Sequence, residues 1–513
     1  MGEMSRLRGS VAVVADTVEQ NFRSQSLAGN ERLSPQSGSS PGARRRVGHG
    51  TAAAGAVGPV VAVVGAGFSG TMAAIQLRKV LPRDHVVCLF DRTGRFARGP
   101  AYAASGEPYL LNVRAANMSA FPDQPNHFRD WLERNEHLLP GDVARTEVGL
   151  FATRRLYGRY LRQLLFQEMN ESGGRVRLAA DDVIGIATIP GGYALTCASG
   201  RRVEAVGVVL TVGNLPSRER SDGVVVHDPW ADEATAGLRP DEPVVVVGTG
   251  LTMVDLTLGM RSRGFTGPIV ALSRRGLVPQ RHAPAGGTWP TPVFTESERR
   301  SLVALLRRLR AEVVKAAAQK IGWRAVIDGL RPITAELWRG LPAIERSRFL
   351  RHLRPWWDVH RHRIAPTAAD RFEATLHDGT LTIRRGRLRG VEREGNSAVV
   401  SVQRPGAGPV ERLTTQRLIY ATGPGPAAGT DALINSIAAQ GLACTDVQGI
   451  GLQVTDSLEV IGANGEPTPR LWALGPIVRG VFWECTAVPD IRQQARAAAD
   501  IIARQLSAVD GNQ

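Results

Sequence analysis

From Pro59 the chain alternates short apolar runs with amphipathic stretches. Val60 to Val64 is five consecutive apolar residues, four of them β-branched, the pattern of a strand buried on both faces. A glycine cluster follows, then apolar positions at helical spacing (Met72, Ala73, Ile75, Leu77, Val80), then a second apolar run from Val86 to Phe90. That succession predicts a βαβ unit. It recurs at Pro243: a strand from Val244 to Val247, glycines, a helix marked by Met253, Leu256 and Met260, and a strand from Ile269 to Leu272.

The duplication extends further. Residues 175–213 read as an antiparallel excursion of short strands (Val176 to Leu178, Tyr193 to Cys197) closed by the buried strand VGVVLTVGN. Residues 381–423 repeat the layout with Leu381 to Ile383, Val399 to Val402 and LIYATG. Between the second βαβ unit and its excursion lies an insertion, 295–365, with helical periodicity at Leu302, Leu305, Leu306, Leu309 and Val313; Ile491 to Leu506 reads as a final helix. The predicted fold class is α/β: two Rossmann-like dinucleotide-binding domains with small antiparallel excursions and a helical insertion. The first domain is expected over 58–235 and 410–513, the second over 236–409.

Composition narrows the class. A chain of 513 residues needs more than one core. With 43% hydrophobic and 22% charged residues it is not disordered throughout, and it has no apolar run long enough to span a membrane. Residues 1–57, with SPQSGSSPGARRR, read as a disordered tail; the acids Glu3, Asp16, Glu19 and Glu31 weigh against a transit peptide. Cys88, Cys197, Cys444 and Cys485 form no C-x-x-C pair, which excludes a disulfide-reductase dithiol and fits a reducing, cytoplasmic setting. The net charge is +15, and all but three of the 63 basic residues (Lys79, Lys315, Lys320) are arginine, a ratio read as codon bias. Residues 299–363 hold 16 basic and 5 acidic residues, so most of the excess belongs to the insertion, where it can attract an acidic substrate or cofactor phosphates. A nucleic-acid partner and a membrane are not expected.

The glycines carry the chemistry. Gly65-Ala66-Gly67-Phe68-Ser69-Gly70 is a complete G-x-G-x-x-G between strand and helix, with Asp91 ending the second strand, where a carboxylate can accept from a ribose hydroxyl. The second loop, Gly248-Thr249-Gly250-Leu251-Thr252-Met253, has Met253 in place of the third glycine. After its second strand come Ser273, Arg274 and Arg275, which favour the 2′-phosphate of NADP(H) over NAD(H). Two dinucleotide sites in one chain point to FAD and NADPH, with hydride passing between them.

Other segments carry a resemblance. Ala421-Thr422-Gly423 resembles the ATG strand of two-dinucleotide flavoproteins. Leu471-Trp472-Ala473-Leu474-Gly475 is similar to their FAD-ribityl motif, with Pro476 where that motif has Asp. GRFARGPAYAASGEPYLLNVRAANMSAFPDQPNHFRDWL, WWDVHRHR and GPIVRGVFWECTAVPDIRQQA look like signature segments of the bacterial FAD-NAD(P)-binding family, similar to N-hydroxylating flavin monooxygenases. The resemblance covers roughly 59–505. It implies that Asn112, Arg114 and Ser119 lie near the isoalloxazine ring. A helix starting near Pro489 and Asp490 would face the flavin pyrimidine edge.

Catalytic side chains are not evident. Asn112, His282 and His360 are weak candidates, and His360-Arg361-His362 lacks the further ligands a metal site needs. The Baeyer–Villiger signature fails because no histidine follows Phe265-Thr266-Gly267 at the required spacing. The activity expected is a FAD-containing, NADPH-dependent monooxygenase, oxygenating an amine nitrogen of a small substrate with O₂ through a flavin C4a-hydroperoxide. The alternatives are an NADPH-dependent flavin reductase or dehydrogenase without oxygen transfer and, more remotely, a basic binding module.

Overall fold

The computed structural model describes residues 58–103, 109–135, 141–215, 221–406, 408–423, 425 and 431–510, so the tail predicted over 1–57 lies outside the described residues. Both predicted βαβ units are present. Val60–Val64, the helix Phe68–Val80 and Val86–Phe90 form the first; Val244–Val247, the helix Leu251–Ser262 and Ile269–Ser273 form the second.

Each unit builds a sheet around its glycine loop, parallel throughout except for the antiparallel edge strand Glu459–Ile461 of the first. The first has six strands in the order Glu459–Ile461, Pro467–Ala473, Gly207–Leu210, Val60–Val64, Val86–Phe90, Val176–Ala179. The second has five: Val225–Val226, Arg417–Tyr420, Val244–Val247, Ile269–Ser273, Leu381–Arg385. Four strands correspond in order and direction, since each first strand lies between the strand that closes its excursion and its own second strand, all parallel. Valine-rich strands suit this place because helices or loops cover both faces.

Two expectations are corrected here. Val176–Ala179 and Leu381–Arg385, read as the openings of the antiparallel excursions, are parallel edge strands paired with Val86–Phe90 and Ile269–Ser273. Short apolar runs look alike in either setting, so periodicity alone could not separate them. The excursions themselves are three-stranded antiparallel sheets, 183–205 and 387–415. The domain limits at 235/236 and 409/410 also shift, because Val225–Val226 and Arg417–Tyr420 pair inside the second sheet.

The first unit's core explains why its helix lacks a polar face. Phe68 through Leu77 are all buried, and the final helix, Val488–Asp510, packs against them through Ile491, Ala495, Ala498 and Ile502. Trp472 is fully buried on the adjoining strand; its Nε1 donates to Gln505 of the final helix at 3.0 Å, and a Cβ on Gly207 would lie 2.7 Å from its ring.

The insertion is helical, as its periodicity predicts: Leu302–Ala318, capped by Ser301, is followed by Trp323–Gly329, Thr334–Gly340, Ala343–Arg348 and Arg354–Arg361. It leans on the first turn of the final helix and on the stretch before it. Arg331 pairs with Asp490 at 2.8 Å, Trp338 Nε1 donates to the Gly480 carbonyl at 2.9 Å, and Arg339 pairs with Asp456.

Trp472→Ala should cost about 3–5 kcal/mol of stability through the cavity it leaves, read as a lower denaturant midpoint with an unchanged slope.

Candidate functional site

The first glycines of the two loops make matching contacts. Gly65 has φ 103° and its N–H donates to Phe90; Gly248 has φ 118° and donates to Leu272. A Cβ on Gly65 would lie 2.5 Å from the Thr211 carbonyl oxygen, and one on Gly248 would lie 2.3 Å from that of Ala421. In each unit the residue after the closing strand therefore presses on the loop, and only glycine fits. Gly213 and Gly423, two residues further along, turn the chain away at φ 74° and 86°.

The middle glycines face open ground. A Cβ on Gly250 would meet nothing within 4 Å, and one on Gly67 would meet only Gly99 Cα, at 3.8 Å. Both residues are N-caps without a side-chain cap, and neither helix carries an acid in its first turn. The N–H groups and the positive end of each helix dipole are left to an anion, so both loops fit a dinucleotide pyrophosphate. The third position differs. Gly70 lies against Gly65, whose carbonyl oxygen would be 1.8 Å from a Cβ, and Thr211 Oγ1 would be 2.7 Å away. In the second loop Met253 is fully buried at this place, and Ala421 stands where the first unit has Thr211.

The other expected residues fall into groups. Asp91 directly follows its strand, which stops at Phe90, and its Oδ1 accepts from Thr93 N, Thr93 Oγ1 and Arg95 N, so one carboxylate oxygen already holds the turn. Phe68 and Ser69 are buried at the start of the first helix, and Gly475 packs on Ser69 so closely that a Cβ would lie 2.3 Å from the Ser69 hydroxyl. Pro476 begins a 3₁₀ turn. Thr249 Oγ1 bonds Ser273 Oγ at 2.9 Å, which ties the second loop to the end of its second strand. Beyond it Arg274 is exposed and without a partner among the described residues, whereas Arg275 donates to the His352 carbonyl of the insertion at 3.1 Å.

Asn112 and His282 meet, though far apart in sequence. His282 Nε2 lies 3.0 Å from the Asn112 carbonyl and its ring lies 5.3 Å from that of Phe151. Because a carbonyl only accepts, Nε2 carries the proton and Nδ1, buried and without a partner among the described residues, keeps its lone pair. Burial pushes the His282 imidazole down to about 4, with Arg363 and Arg114 acting in the same sense. It is a neutral ring of fixed tautomer at pH 7. Ser119 instead braces a turn, donating to the Phe121 and Gln124 carbonyls. The final helix starts at Val488, close to the predicted position, but Asp490 is engaged by Arg331; burial raises its carboxyl and Arg331 opposes the rise.

His360 turns away from the presumed chemistry. Its Nδ1 lies 2.7 Å from the Trp356 carbonyl within its own helix, and no group of three His, Cys, Asp or Glu among the described residues is placed to hold a metal. Its neighbours matter more. Trp357, Arg361 and His362 converge on the buried Glu484. Burial alone would raise that carboxyl, but His362 and Arg361 outweigh it and hold it down at about 2. WWDVHRHR and GVFWECTAV lie far apart in the sequence, and no spacing or periodicity joins them. A lone acid in an apolar loop facing a basic aromatic stretch was the available signal.

Two sheet units, each with a glycine loop at the start of a helix, define a fold with two dinucleotide-binding units. Residues 62–215 match the family model described as FAD-NAD(P)-binding, a stretch that includes the first of the three signature segments. No curated protein matches in sequence. Among solved structures, the ornithine N-hydroxylase of Kutzneria sp. 744, described with reduced FAD, NADP⁺ and L-ornithine, is 15% identical with a TM-score of 0.59, over 88% of this chain and 100% of that one. L-lysine 6-monooxygenase from Pseudomonas syringae is 14% identical with a TM-score of 0.59, over 87% and 100%. The FAD-bound cadaverine monooxygenase of desferrioxamine biosynthesis from Erwinia amylovora is 14% identical with a TM-score of 0.57, over 87% and 94%. At these identities the likeness is one of fold.

Gly70→Ala should strip the protein of flavin and lower its thermal midpoint. Gly250→Ala should leave the midpoint within about 1 °C, because its methyl meets nothing, while weakening nicotinamide binding. The pH dependence has a definite sign. Between pH about 6.5 and 4 the unfolded chain protonates His282 and the folded one does not, so stability is complete above pH 6.5 and falls by about 3 kcal/mol towards pH 4. The Glu484 contribution is present above pH 4.5 and is lost as pH falls from there towards 2. Unfolding free energies of wild type and His282→Gln across this range should diverge in the upper window alone.

Proposed function

We propose that the protein is a FAD-containing, NADPH-dependent monooxygenase that oxygenates a heteroatom, an amine nitrogen, of a small substrate. What supports this reading is the paired construction of the loops: two pyrophosphate cradles in one chain, in a fold shared along 87–88% of its length with amine and amino-acid N-hydroxylases. FAD supplies the passage of electrons from nicotinamide to oxygen.

The residues divide the remaining work. Gly65, Gly67 and Gly70 with the helix Phe68–Val80 hold the FAD pyrophosphate, and the Asp91 oxygen not used in its turn accepts from the ribose. Gly248 and Gly250 hold the second pyrophosphate, and the exposed Arg274 takes the 2′-phosphate, with Gly423 turning the chain clear of that loop. Asn112 and His282 mark the wall between the units. There the ring of His282 stays neutral at pH 7 with a bare Nδ1, which can accept a hydrogen bond but is too weak a base to take a proton from an ammonium. Apolar neighbours such as Phe151 and Ile364 keep water from that wall.

Mixing the NADPH-reduced protein with O₂ in a stopped-flow spectrometer tests the reading. A transient spectrally distinct from both reduced and oxidised flavin that decays faster with an added amine supports oxygen transfer; direct return of oxidised flavin with stoichiometric peroxide, whatever amine is added, identifies a reductase instead. Arg274→Ala should raise the KM for NADPH about tenfold and leave that for NADH unchanged, since one charge-assisted phosphate contact is removed.

A further inference from the structure

Glu484 combines two costs that a protein rarely keeps without use. Its backbone lies at φ 73°, a region that L-residues other than Gly, Asn and Asp seldom enter, and its side chain is an almost fully buried carboxylate. The insertion meets both. Trp357 Nε1 donates to Oε1 at 2.8 Å, Arg361 Nε lies 3.1 Å from Oε2, and His362 Nε2 lies 3.5 Å from Oε1. The preceding residue, Trp483, is wedged between Trp338 and Phe349, also of the insertion.

The next residue faces the other way. Cys485 Sγ donates to the Gly475 carbonyl at 3.1 Å, and burial pushes its thiol up, so it stays a neutral donor. Gly475 in turn packs on Ser69 of the first glycine loop and donates its N–H to Gln494 of the final helix at 3.0 Å. The contacts form one line: insertion, Glu484, Cys485, Gly475, Ser69.

We infer that Glu484 is a positioning residue for the flavin. Its carboxylate, gripped by the insertion, fixes the turns of 476–487 in the single arrangement that keeps Gly475 on the first glycine loop, so the insertion governs how firmly and in what environment FAD is held. This rests on the assignment of FAD to the first unit, not on oxygen transfer. A buried ion pair is a weak source of stability compared with an apolar replacement of the same volume, and its attested use is to select one arrangement among several.

The test uses the purified holoprotein. Glu484→Gly tolerates the backbone angle and removes the carboxylate; Glu484→Gln keeps the shape and removes the charge. Val400→Ala, a fully buried position in the second unit's antiparallel sheet, serves as a variant destabilised elsewhere. Expected is at least tenfold faster release of FAD on dilution from Glu484→Gly, with a changed visible flavin band, a smaller change in Glu484→Gln, and wild-type release from Val400→Ala despite a lowered thermal midpoint. Release and spectra equal to wild type in both Glu484 variants overturn the inference, even if their midpoints fall, and so does release as fast from Val400→Ala. Faster release in a protein whose reduced form makes only peroxide supports it while removing the monooxygenase reading.

Discussion

The fold turns on one steric contact made twice. Where each parallel sheet closes, the carbonyl of the residue after the closing strand, Thr211 or Ala421, comes so near the first glycine of the loop that no side chain can stand between them. That contact fixes the loop against the sheet. The loop then delivers the helix N-terminus to the carboxyl end of the strands, where open sheets of this kind bind ligands. Positive φ at Gly65 and Gly248 is the local cost of that delivery. The strands on either side, rich in valine, leucine and isoleucine, supply the burial that outweighs it.

Much of this was legible in the chain. Strand, glycines, helix, strand is a pattern in which each residue type has a mechanical reason, so the two units, their loops and the helical insertion stood out. What stayed hidden is what periodicity does not encode. Val176–Ala179 and Leu381–Arg385 have the composition of short strands in any sheet, and only their neighbours make them parallel edges. The candidate residues fared similarly: loop glycines are recognisable by type, whereas Asn112 and His282 meet through a backbone carbonyl that leaves no mark on the sequence.

The clearest gain over sequence concerns the insertion. Its basic composition invited a reading as an attractor for acidic ligands. In the fold, several of its arginines already hold carboxylates: Arg331 takes Asp490, Arg339 takes Asp456 and Arg361 takes Glu484. The charge serves at least partly to fasten the insertion to the stretch leading into the final helix. The same helices reach the second unit through the His352 carbonyl and Arg275, so one element touches the surroundings of both cradles.

The choice of arginine at that seam has its own consequence. A guanidinium keeps its proton at any pH at which a protein survives, so no cation of these three pairs can be neutralised by alkali. The chain's three lysines do not take part in these pairs; Lys315 is turned to Glu312 of its own helix. Acylation of lysine, a common way for cells to loosen a basic surface, therefore finds no handle on these contacts, and the joint between insertion and flavin domain is closed to that form of control.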